Sequence, residues 1–92
     1  MTNQERAALF EQGVTAISRL QQIYPDYPPF ESIHNQLVFL LEQCSAAVPN
    51  RDALAQINLG YITMREVETR DNTIADLLYR CSAEAKAMQA RQ

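Results

Sequence analysis

Apolar residues recur every three or four positions through almost the whole chain, and nowhere alternate with polar ones as a half-buried strand requires. Leu9, Phe10, Gly13, Val14, Ile17, Leu20 and Tyr24 form the first such stripe, with Glu11, Thr15, Ser18 and Gln22 on the opposite side. The stripe is wider than a coiled-coil seam and suits a helix packed against two neighbours. Thr2 and Glu5 stand at capping-box spacing, so this helix is predicted to begin near residue 3. Composition points the same way: only 2 glycines occur, and the abundant Gln, Ala, Leu, Glu and Arg all form helices well.

Prolines mark where each stripe stops. Tyr24-Pro25-Asp26-Tyr27-Pro28-Pro29 ends the first helix, because proline cannot continue the hydrogen-bond ladder, and Pro28 or Pro29 opens the second. That second helix is predicted over about 30–47, with Phe30, Ile33, Leu37, Leu40, Leu41 and Cys44 inward. Val38 falls off this stripe. Phe39 points nearly opposite, among Ser32, Asn35, Gln36 and Gln43. Pro49 breaks the chain again, and Asn50 is a good cap for a third helix starting at Arg51. Ala53, Leu54, Ile57, Tyr61 and Met64 make one face of it; Ala55, Leu59 and Ile62 make a second flank. Gly60 either admits a close neighbour or marks a bend. Asp71 or Asn72 caps a fourth helix, whose stripe is Ile74, Leu77, Leu78, Cys81, Ala85 and Met88; Tyr79 points away, and Gln89 to Gln92 are expected to fray. The expectation is an all-α protein: a compact antiparallel bundle of about four helices, one domain over residues 1–92.

The net charge of −3 argues against nucleic-acid binding, which needs a basic surface to displace counterions. No stretch approaches the ~20 apolar residues of a membrane span, and the polar N-terminus does not read as a secretion signal, so a cytoplasmic protein is expected. Cys44 and Cys81 each sit on an apolar stripe and lack a second pair, which reads as two buried thiols and no metal site. His34, the lone histidine, borders the stripe of its helix. There is no Gly-rich phosphate loop and no His-Glu-x-x-His. No catalytic residue, cofactor or metal is expected; an enzyme would have to work through His34 or Cys44.

Surface features point to a protein partner instead. Glu66, Glu68, Asp71 and Asp76 gather around the junction of the third and fourth predicted helices. They are either a solvated surface or an acidic patch for a basic partner, where charge sets association rate and specificity. Phe39, ringed by polar residues, is either an ordinary exposed aromatic or a binding anchor. Leu59 and Ile62 pose the same choice: a flank buried on a central helix, or a docking surface.

Arg19-Leu20, Tyr24-Pro25-Asp26-Tyr27 and Gln36-Leu37, followed by Arg51-Asp52-Ala53-Leu54 and Leu59-Gly60-Tyr61-Ile62-Thr63-Met64-Arg65-Glu66, resemble a family of type VI secretion immunity proteins in order and spacing. The similarity covers roughly residues 15–85. The family protects bacteria against effectors with an NAD(P)⁺ glycohydrolase domain and against a related (p)ppApp-synthesising toxin. The resemblance implies a compact helical protein, without cofactor, that binds its toxin 1:1 and covers the active site. A toxin cleft that handles phosphate is positively charged, and an acidic plug complements it. From the helical geometry, Glu66, Glu68 and Asp71 are the candidate acidic contacts, and Phe39, Leu59 and Ile62 the candidate apolar anchors. The competing expectation is a helical adaptor or secretion chaperone that leaves its client's active site open.

Overall fold

The computed structural model describes residues 1–90. Its first helix, α1 (Asn3–Ile23), begins with the predicted capping box: Glu5 N donates to Thr2 Oγ1 (3.1 Å), and Thr2 N donates to Glu5 Oε1 (2.8 Å). The backbone amide of Thr2 also lowers the pKa of the Glu5 carboxyl, since it hydrogen-bonds the charged form. Pro25 stops the helix. Asp26 then turns the chain with φ of 61°, a left-handed conformation that aspartate tolerates better than most residues. Pro28 occupies the first position of α2 (Pro28–Ser45), where its missing amide costs nothing. Residues 24–27 are too short to let α1 and α2 do anything but fold back on each other as an antiparallel pair.

Phe10 and Ile17 from α1 meet Phe30, Ile33, Leu37 and Leu40 from α2, all without accessible surface. The last helix, α5 (Asn72–Ala90), packs on α1 and buries Ala75, Leu78, Cys81, Ala85 and Met88. Asp71 is its cap: Ile74 N donates to Asp71 Oδ1 (2.9 Å). At the junction of the three helices stands Gly13. A Cβ there would lie 3.1 Å from Cys81 Sγ and 3.2 Å from Leu37 Cδ1, so the glycine permits the close approach. Gln89 and Ala90 remain helical where fraying was expected; the rest of that predicted tail lies outside the described residues.

The third predicted helix is where the structure departs from expectation. Asn50 caps α3 (Arg51–Leu54) as anticipated, Ala53 N donating to Asn50 Oδ1 (3.0 Å), but α3 is a single turn. Residues 55–58 break away. A second short helix, α4 (Leu59–Ile62), runs on into a π-helical turn, Thr63–Val67. The cause of the break is tertiary. Asn58 N donates to Gln36 Oε1 (2.9 Å), so α2 takes the backbone amide that helix continuation would have used, and Asn58 Oδ1 accepts from Gln36 Nε2 (2.7 Å). Gln43 Oε1 accepts from Asn50 N (2.7 Å) in the same way. The break re-phases the segment. Leu59, Thr63 and Val67 face inward with no exposure, while Tyr61 and Met64, expected in the core, are 55% and 50% exposed. Gly60 lies beyond the bend and serves close packing: a Cβ there would stand 2.6 Å from Ser82 Oγ on α5.

A buried arginine was not anticipated. Arg6, 6% exposed, donates from Nε to Glu84 Oε1 at 2.8 Å and so ties the start of α1 to the last turns of α5. Both residues fall in phase with apolar stripes, Arg6 with Leu9, Phe10 and Gly13, and Glu84 with Cys81 and Met88. That phase was the available signal.

Candidate functional site

Phe39 does not stand free on the surface. Residues 53–57 lie beside it, and the ring is half-buried and packs against the hydrophobic cluster. Helical geometry alone cannot see a distant segment returning to lie there. The gap left between the two is an open groove of about 540 Å³. Phe39, Ile57 and Ala53 supply its apolar surface; Glu31, Asn35 and Gln56 form its rim. The Gln36–Asn58 pair of hydrogen bonds fixes the spacing of the two walls. Two of the polar residues around Phe39, Gln36 and Gln43, are thus builders of the fold.

On the far side of residues 55–58 rises a ridge of Tyr61 and Met64, the largest exposed apolar surface of this segment. Arg65 lies over the Tyr61 ring (5.6 Å to its centroid) and donates from Nη1 to Tyr61 Oη (2.8 Å). Concavities flank the ridge. One runs towards Tyr79, Ser82 and Lys86; the other, towards Pro28 and Pro29, includes half-buried Ile62. Ile57 joins the first to the Phe39 groove, and Pro28 joins the second to it. Tyr, Met and Arg are the residue types that interfaces enrich, and π-helical turns recur at functional sites. Tyr61, Met64 and Arg65 were missed as surface candidates because the predicted phase placed the first two in the core.

The candidate carboxylates separate. Glu66 is half-buried and turned towards α2, where it accepts from the Tyr27 hydroxyl and pairs with Arg70 Nη1 at 3.5 Å. This hydrogen bond favours neutral Tyr27 and raises its pKa. Glu68 is exposed and accepts from Tyr79 Oη (3.0 Å) on α5. Burial first, and this bond second, raise the Tyr79 pKa. Asp71 is committed to capping α5. Arg70, between them, sits 5.0, 5.2 and 5.6 Å from the ring centroids of Tyr24, Tyr27 and Phe30. The Tyr24-Pro25-Asp26-Tyr27 turn therefore builds an aromatic box that pins the end of the π-helical turn. Leu59, with no exposure, belongs to the interior rather than to an accessible face.

The groups with chemical potential are placed unfavourably for catalysis. Burial pushes the Cys81 thiol up to about 12 and also raises that of Cys44, so both favour the protonated, unreactive form. His34 and Cys44 lie ten residues apart on one helix, about 15 Å along its axis, too far for a nucleophile and its base. No cluster of three His, Cys, Asp or Glu suited to a metal occurs among the described residues, and no helix there is long and apolar enough to cross a membrane.

Fold and surface together define a small helical protein whose distinctive feature is a broken, sculpted face between α2 and α5. The chain belongs to the Tsi6 family of type VI secretion immunity proteins, whose model matches residues 5–87. No curated protein and no solved structure matches it.

Proposed function

We propose that this protein binds a cognate type VI toxin domain 1:1 and occludes its nucleotide-binding active site, protecting the cell that makes it. Membership of the Tsi6 family carries this reading. The face built from the Phe39 groove, the Tyr61–Met64 ridge and the Glu66–Glu68 turn supports it, because it combines apolar anchors with charges of both signs. Phe39, Ile62, Glu66, Glu68 and Asp71 are the proposed contact residues. The proposed target is an NAD(P)⁺ glycohydrolase-like or (p)ppApp synthetase-like domain, whose phosphate-handling cleft attracts a protein of net charge −3. The protein acts by binding, without cofactor and without catalysis of its own, in the cytoplasm where such a toxin arrives.

The test is co-purification with the toxin domain encoded beside this gene, followed by NAD⁺-consumption and nucleotide-pyrophosphorylation assays with and without this protein. A stable equimolar complex with activity suppressed is expected. An apolar groove also suits an adaptor that grips a client segment. A complex that retains full toxin activity selects that reading instead.

A further inference from the structure

We infer that the groove between α2 and residues 53–57 receives an extended segment of the partner, carrying a Lys or Arg about four residues from an apolar anchor, so that the partner inserts into this protein at that point. The inference rests on the immunity reading for the partner's identity.

Glu31, Asn35 and Phe39 follow one another at four-residue steps along α2 and line the same wall. Among the described residues, Glu31 is the one charged side chain on the groove, and it is exposed. The groove thus has an acidic end and an aromatic end, about 12 Å apart at 1.5 Å rise per residue. Charge complementarity assigns a cation to the first end, and the half-buried Phe39 and Ile57 assign an apolar side chain to the second. An extended chain rises about 3.3 Å per residue, so side chains four positions apart share one face and span that distance.

The rim decides between an extended segment and a helix. Asn35 and Gln56 are both exposed, one on each side of the groove, and each offers a donor and an acceptor. A helix satisfies its own backbone groups and gains little from such amides. An extended segment brings unpaired N–H and C=O groups that the amides can meet. The volume, about 540 Å³, lies within the ~300–1,000 Å³ of ordinary ligand sites. The walls are held in advance by the Gln36–Asn58 bonds, so little ordering cost falls on this side of the complex.

The experiment uses the full chain and the toxin domain encoded beside it. Asn35→Trp fills the groove from an exposed position, and Glu31→Lys reverses its one charge. Thr15→Trp, on the exposed side of α1 away from the groove, is the control. Circular dichroism establishes that all three keep their helices. Affinity is expected to fall about 100-fold for Asn35→Trp and about 10-fold for Glu31→Lys, with the control within twofold. Glu31→Lys also flattens the salt dependence of association. If the groove variants bind and inhibit like the unaltered protein, the groove inference is overturned and the immunity reading stands. If they lose binding but the unaltered complex is catalytically active, the groove stands and the inhibitory reading is overturned. If the unaltered protein forms no complex, both are overturned.

Discussion

Single residues in this protein carry jobs that their type alone does not announce. Cys81 is a small apolar filler whose thiol touches Leu9 O at 3.7 Å and whose pKa burial pushes up to about 12 from 9.0. The folded state holds the neutral thiol. Its stabilising contribution is therefore full below pH 9.0 and is lost as the pH rises towards about 12. Tyr27 and Tyr79 are raised from 10.0 and act in the same direction. Denaturant titrations across that window should show stability falling as the pH rises, and a shallower fall for Cys81→Ala. An identical slope in the variant would remove the thiol from the account. Arg70 offers a second residue-scale test. Its guanidinium stacks on three rings and donates to Glu66 O at 2.6 Å. Arg70→Ala should lower the thermal midpoint. Arg70→Lys should recover only part of the loss, because an ammonium lacks the planar fork that stacks and bonds at once. Full recovery with lysine would show that charge alone matters.

Three elements were legible in the sequence and one was not, and the difference is physical. α1, α2 and α5 are long, and local forces set their ends: a capping box at Thr2, prolines at 25 and 28, and the Asp71 cap. Their stripes predicted their buried faces closely. The stretch from Arg51 to Val67 has an equally helical pattern, yet its conformation is decided by Gln36, a residue on another helix. No local propensity encodes that bond. The proposed docking face inherits the error, since Phe39 was expected exposed and Tyr61 and Met64 buried. What was legible was the neighbourhood: Phe39, Ile62, Glu66 and Glu68 do lie on or beside the sculpted face. The Gln36 clamp is directly testable. Gln36→Ala removes both bonds to Asn58 and should cost about 1–2 kcal/mol of stability. The Asn58 amide should then exchange with solvent far faster, with little change in the Phe10 and Ile17 amides of α1. Unchanged exchange at Asn58 would mean that core packing, not the clamp, holds the break.

At the scale of the whole molecule, an ion pair between α1 and α5 joins two regions far apart in sequence. Arg6 and Glu84 are separated by 78 positions and meet at 2.8 Å, with side-chain exposures of 7% and 22%. An arginine this buried has lost most of its hydration. Glu84 supplies the main compensation, and Asn3 Oδ1 adds a longer contact at 3.5 Å. Removing Glu84 alone should strand the buried cation, and removing Arg6 alone should leave a carboxylate still partly in water. The two losses are therefore unequal. Glu84→Ala should be the more costly, at about 2–4 kcal/mol, and Arg6→Ala the less costly, at about 1–2 kcal/mol. Replacing both by methionine keeps the volume and removes both charges, so the double variant should be closer to the parent than Glu84→Ala is. Urea titrations of the parent, the two alanine variants and the double alanine variant give the coupling energy from the cycle. Additive losses would show that the pair contributes no interaction, and that Arg6 is held by the packing of its aliphatic stem. A large favourable coupling would show that the ends of the chain are joined by charge, and that shortening α5 before Glu84 would loosen α1 as well.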